Sequence, residues 1–186
     1  MTKKLTAHDL AGDDPNPMSH EEVDALKELV RELPYTPTII QIGAERGCST
    51  VAMLEERPLA FILSIDIGER PEERANVERA ELDHRQVVRA LGRSQDIGLW
   101  WPMNWECDML FIDGDHRYEG VSQDLYIWAD KIKPGGILAL HDYIEDPIPA
   151  HIKGRVAHAV RDWLEKHDEY EEIARCQRLI AFQKKS

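Results

Sequence analysis

Five short apolar runs constrain this chain more than anything else in it: TIIQI, AFILSID, QVVRAL, DMLFID and GILALHDY, in that order. Each has the length and the β-branched content of a strand. Helical spacing fills the gaps between them. SHEEVDALKELVREL comes first, with Ser19 and Glu22 set as a capping box and Val23, Leu26, Leu29, Val30 and Leu33 on one face. A helix is expected from about Cys48 to Glu56, and another in PEERANVERAEL, opened by Pro71 at a favourable first-turn position. YEGVSQDLYIWADKI places Val121, Leu125, Trp128 and Ile132 together, and KPGG ends that helix. RVAHAVRDWLEKH is a further helix, and YEEIARCQRLIAFQKK reads as two antiparallel strands turning near Gln177.

Strands that are apolar almost throughout and alternate with helices make a parallel sheet covered on both faces. The last two strands add an antiparallel edge hairpin. A chain of 186 residues is comfortable around one core. The expected organisation is one domain over 19–186, preceded by a polar segment, 1–18, that is a flexible lead-in or a lid.

In such a sheet, ligands bind beyond the carboxyl ends of the strands. Five candidates stand there: residues 43–49, Asp66, residues 92–94, residues 113–116, and His141 with Asp142. In IGAERGCS, Gly43 lets the chain leave its strand sharply, and Gly47 lets backbone approach a ligand at a helix start. Asp66 ends the next strand about twenty residues on, where a carboxylate can accept both hydroxyls of a ribose. Glycine turn and acid together point to a nucleoside cofactor, either a nicotinamide dinucleotide or S-adenosylmethionine. A pyrophosphate needs a three-glycine turn, and Glu45 stands where the second glycine would be. A sulfonium ligand carries no phosphate and tolerates that acid, so the balance favours S-adenosylmethionine.

FIDGDH and LALHDY bring two more acids, Asp113 and Asp142, to the same rim. Two carboxylates at neighbouring strand ends repel unless something cationic sits between them. A hard divalent cation such as magnesium would suit them, with His141 as an adjoining ligand, and would lower the pKa of a substrate hydroxyl. His116 or His141 could take the proton. The plainer reading is that both aspartates cap loops and that the histidines face solvent.

These residues resemble a known family. IGAERGCST, SIDIG and above all DMLFIDGDHRYEGVSQDL…KPGGILALHDY make the chain similar to class I S-adenosylmethionine-dependent methyltransferases, of the methyltransferase-24 type. That type is similar to metal-dependent O-methyltransferases. The resemblance runs from about Thr38 to Lys184. It implies a Rossmann-like, doubly wound, mostly parallel seven-stranded sheet, with helices on both faces. It implies that Gly43, Glu45, Gly47 and Ser49 line the methionine end of the cofactor, that Asp66 holds the ribose, and that Ser94 lies near the adenine. Asp113 also borders the cofactor; Asp113 and Asp142, with His141, match the metal site, and Asp113, His116 and His141 are the catalytic candidates. Three positions depart from the family pattern. Gln41 replaces an acid before the glycine turn, Arg93 replaces an acidic neighbour of adenine, and His141-Asp142-Tyr143 stands where Asp-Asn is common.

Composition narrows the partners. A net charge of -12 argues against broad contact with nucleic acid or an anionic membrane. Cysteines at 48, 107 and 176 fit reduced thiols in the cytoplasm better than a disulfide framework, and Cys48 reads as a packing residue. No run is long enough for a membrane span and no secretory signal is visible. LWWPMNW reads as core packing or a subunit contact, with an aromatic wall for adenine as the functional alternative. YIEDPIPAHIKGRV is placed to form an acceptor pocket. The expected activity is methyl transfer to oxygen of a small hydroxylated acceptor, by a cytoplasmic protein that could pair as a homodimer. The rivals are an NAD(P)-dependent oxidoreductase and a non-catalytic, methyltransferase-like binding module.

Overall fold

The computed structural model describes residues 3–12, 18–102, 105–145 and 156–185. Seven strands form one sheet: β1 (Thr38–Ile42), β2 (Phe61–Asp66), β3 (Val87–Leu91), β4 (Cys107–Ile112), β5 (Ile132–Leu140), β6 (Tyr170–Cys176) and β7 (Leu179–Lys184). Their order is β3-β2-β1-β4-β5-β7-β6. The first five are parallel, and β7 runs antiparallel to both β5 and β6. The doubly wound sheet with its antiparallel hairpin is therefore as expected. Among the described residues, no helix is long and apolar enough to cross a membrane.

Alternation along the central strands builds two cores. Ile39, Met109, Phe111 and Ala139 point to one face. There they meet α1 (Ala7–Leu10), α2 (His20–Arg31), α3 (Cys48–Glu56) and α4 (Pro71–Arg79). Ile40, Leu110, Ile112 and Leu138 point to the other. That face is covered by α5 (Ser94–Trp100), α6 (Tyr118–Trp128) and α7 (Val156–Leu164). Every residue of β4 is buried, as a strand covered on both sides must be.

Register decides where the functional residues land. Ile42 pairs with Ile65 on one side and Ile112 on the other, and Ile112 pairs with Leu140. One residue further, the ladder continues without strand geometry. Gly43 donates to Ile65 at 2.8 Å, Asp113 to Ile42 at 2.8 Å, and His141 to Ile112 at 3.0 Å. Gly43, Asp113 and His141 thus form one row. It lies where β1 and β4 adjoin and the chain winds away in opposite directions.

Three local readings are corrected. KPGG does not end a helix; α6 stops at Trp128, and Lys133 to Gly136 lie inside β5. Gly135 takes φ +79, and the pairing jumps from Cys107↔Ile132 to Met109↔Ile137, so the segment is a bulge. The fifth strand stops at Leu140, before His141 and Asp142, and Asp142 turns the chain with φ +55. Residues 94–100, not expected as a helix, form α5. In the lead-in, Thr6 and Asp9 make a capping box for α1, which buries Ala7 and Leu10 in the core. The capping box of Ser19 and Glu22 forms as expected.

Gly43 is the tightest point. Its φ is +85, and a Cβ there would sit 2.1 Å from the Asp113 carbonyl oxygen. Gly135, with φ +79, faces open space. Urea denaturation is expected to show Gly135→Ala costing about 1 kcal/mol, the strain of the left-handed backbone alone. Gly43→Ala should cost well over about 2 kcal/mol or prevent folding, because two backbone segments must part as well.

Candidate active site

A cavity of about 700 Å³ opens over this row. Its wall includes Gly43, Glu45, Ser49, Asp66, Ser94, Asp113 and His116, and Leu10 and Met18 of the N-terminal segment close one side. Asp142 and His141 are not part of the wall.

The glycine turn is held from below by Asp66. Its Oδ2 accepts from the Ala44 and Glu45 amides at 3.1 and 3.4 Å, and its Oδ1 from Gly68 at 3.0 Å. Arg70 lies 3.0 Å from Oδ2. Burial works to raise the Asp66 pKa, but Arg70 and these amides hold it below the usual carboxylate range. The turn itself is left-handed at Gly43, Glu45 (φ +46) and Gly47 (φ +81). A Cβ on Gly47 would meet Glu73 at 2.8 Å, so α3 and α4 approach here as closely as backbone permits.

Gln41, which stands where an acid is common, is fully buried as a hub. Its amide donates to Thr50 at 3.0 Å, and its Oε1 accepts from Ser49 at 3.2 Å. The buried carboxylate beneath the turn comes instead from Glu73, which accepts from Thr50, Ser64 and Arg89, each at 2.8 Å. Sequence reasoning missed Glu73. An acid in a helix that reads as solvent-facing gives no signal of its own.

Beyond β4, Asp113 lies between two histidines. His141 Nδ1 is 3.2 Å and His116 Nε2 3.5 Å from its Oδ1. His116 Nδ1 is 2.7 Å from Asp142, whose other oxygen accepts from Arg178 at 2.9 Å. Asp113 and Asp142 drive the His116 pKa up to about 10, against the effect of burial. Burial opposes charge on His141 as well, yet Asp113 and Glu22 carry it up to about 9. His141 is only 2 % exposed. So of the two histidines expected as proton acceptors, His116 alone reaches the cavity.

His141 Nδ1 and one oxygen each of Asp113 and Asp142 lie within 4.8 Å of one another, a grouping able to hold a metal ion. Asp115 lines the cavity but is not part of this grouping. It pairs with Arg117 at 2.6 Å and packs on Gly120, at the start of α6. Cys48 donates to the Ala7 carbonyl at 3.4 Å, and burial pushes its thiol up to about 12, as suits a packing residue.

Trp101 packs against Trp105 and Trp128, at 5.4 and 5.9 Å between rings, while Trp100 is 89 % exposed. Of the expected acceptor loop, 143–156, residues 146–155 lie outside the described residues.

Ser94 lines the cavity but turns its hydroxyl to Asp124 on α6, at 2.5 Å, and Gln95 joins the same oxygen at 2.8 Å. The other Asp124 oxygen is buried without a partner, and burial raises this carboxyl to about 6. A raised carboxyl favours the folded state only while protonated. Its contribution is full below the ordinary value near 3.8 and is lost as pH rises through about 6. Asp124→Asn keeps one acceptor oxygen and removes the charge. In denaturation, its stability relative to wild type should therefore rise between pH 4 and pH 7, by on the order of 2 kcal/mol.

The sequence pattern of a methyltransferase-domain family matches residues 40–143, more than half of the chain. An uncharacterized protein of Acanthamoeba polyphaga mimivirus, R132, is 25 % identical over 113 residues, 57 % of this chain and 51 % of that protein. The chain thus spans about half the length of that curated relative. Among solved structures, the O-methyltransferase NovP has a TM-score of 0.74 at 18 % identity, over 98 % of this chain and 87 % of that one. An O-methyltransferase from Bacillus cereus, in complex with SAH, gives 0.68 at 17 %, over 92 % and 84 %. MycE from mycinamycin biosynthesis, with Mg and SAH, gives 0.66 at 13 %, over 87 % and 49 %. At these identities the structures share the fold. With the matched family pattern covering the glycine turn, Asp66, Asp113 and Asp142, the chain belongs to the methyltransferase-24 family of class I S-adenosylmethionine-dependent methyltransferases.

Proposed function

We propose that this protein transfers a methyl group from S-adenosylmethionine to an oxygen of a small hydroxylated acceptor. The observation that carries the reading is the cavity itself. It lies at the switch point, with the glycine turn clasped by Asp66 on one side and Asp113 and His116 on the other. Its volume suits a nucleoside-sized ligand with room beside it. The close approach of Gly43 to Asp113 leaves bare backbone where the methionine end would lie.

When bound, S-adenosylmethionine supplies the methyl group. Gly43, Glu45 and Ser49 would border its methionine end, over the turn that Gly47 permits, while Asp66 would accept from the ribose and Ser94 would flank the adenine. The Asp66 carboxylate already carries amide hydrogens and Arg70, which keep it ionised and fixed as an acceptor. The nicotinamide alternative has no support in a chain of this family. The binding-module alternative gains nothing from an open cavity that retains its acids.

Asp113, Asp142 and His141 fit a divalent cation, with two carboxylates and one imidazole nitrogen converging. Such an ion would lower the pKa of an acceptor hydroxyl. Held between two aspartates, His116 carries its own proton near neutral pH. It can take the acceptor's proton once another cation neutralises the aspartates.

Calorimetry separates these roles. S-adenosylhomocysteine is expected to bind and NADH to give no heat. Asp66→Ala should weaken binding at least about tenfold, the worth of a charged hydrogen bond. Asp113→Asn should leave affinity within a few-fold. No heat with S-adenosylhomocysteine on folded protein would overturn the proposal.

A further inference from the structure

Glu22 is an acid at the rim that comes from a helix and not from a strand end or the loop after it. It stands in the first turn of α2, and its side chain is fully buried. Oε2 accepts the Ser19 amide at 2.7 Å and lies 3.3 Å from His141 Nε2. Oε1 accepts the Arg178 amide at 2.8 Å and lies 3.6 Å from Arg178 Nε. A capping box needs only the first of these contacts and works at the surface. Burying a carboxylate is costly unless it is paired and hydrogen-bonded. The groups that make this burial tolerable are His141 and Arg178, and both lead to the rim.

His141 has an acid beside each ring nitrogen, Glu22 standing at ion-pair distance from Nε2 without forming a hydrogen bond. Nε2 faces Glu22, while Nδ1 lies 3.2 Å from Asp113 and 3.6 Å from Asp142. Arg178, in the turn between β6 and β7, joins Glu22 to Asp142. We propose that Glu22 is a positioning residue for the rim: it fixes the His141 ring through Nε2 and so turns Nδ1 toward Asp113 and Asp142. An outer carboxylate of this kind sets both the orientation and the tautomer of a histidine. The inference deepens the methyl-transfer reading and rests on it for the chemistry performed at the rim. It assigns Glu22 a task that helix capping does not need.

The test uses the full chain with ¹⁵N-labelled histidine, the His141 signals being identified by their loss in His141→Gln. Long-range nitrogen–proton spectra of the wild type should show a hydrogen on His141 Nε2, toward Glu22, whether or not Nδ1 carries one as well. Glu22→Gln can present an N–H to that nitrogen, and is expected to change the His141 signals. It should also weaken binding of Mn²⁺, the probe ion, at least about tenfold. Ser19→Ala removes the other half of the capping box. It should lower the melting temperature but leave the His141 signals and Mn²⁺ affinity within about twofold of wild type, as the ion-pair contact with His141 is kept. A bare Nε2 in the wild type would overturn the proposal. So would unchanged His141 signals in folded Glu22→Gln, or a Ser19→Ala variant that changes them equally. If Glu22→Gln does not fold, the wild-type spectrum and Ser19→Ala decide. If wild type binds S-adenosylhomocysteine but no Mn²⁺, the metal part of the function falls, and the ring signals alone judge Glu22.

Discussion

Three carboxylates meet at the end of one sheet, and the site depends on what separates them. Glu22, Asp113 and Asp142 alternate with His141, His116 and Arg178, so each acid has a cationic neighbour on either side. Each contact is modest, but together they share a poorly solvated region where an unpaired charge is expensive. The arrangement also explains how so acidic a chain keeps acids inside. Burial raises the Glu22 pKa, yet His141 and the Ser19 and Arg178 amides bring it down to about 2. Removing any one basic partner leaves two of the carboxylates with one basic neighbour in place of two.

This network and the glycine turn are two halves of one construction. Asp113 belongs to both: its side chain enters the charged ring, and its backbone presses against Gly43. Asp66 grips the far side of the same turn. The cavity is therefore bounded by polar groups that already have partners, which keeps its shape set before any ligand arrives.

The apolar runs made the sheet legible, because strands buried on both faces leave near-continuous apolar sequence. Asp66 and Asp113 were legible because each closes or directly follows such a run. The helix start at Ser19 and Glu22 was equally plain, but its reach was not. A capping box is a local pattern, whereas the contact to Arg178 spans 156 positions. Lys133 to Gly136 misled because proline and glycine mark a helix end and a strand bulge alike; only pairing with β4 tells them apart. Glu73, Asp124 and Gln41 hold the floor of the site through partners that no spacing rule connects.

The place of Arg178 has a consequence for how the protein is made. It follows Glu22 by 156 residues, yet it contacts that acid in the first helical turn of α2 and another at the rim. Chains emerge from the ribosome N-terminus first, so Glu22 waits for 156 further residues before its last partner appears. The parallel strands and most of the cavity wall can assemble earlier. The charge ring closes only when the terminal hairpin docks. A nascent chain would hold its cofactor turn before it held a finished rim, so chemical competence waits for the β6–β7 hairpin.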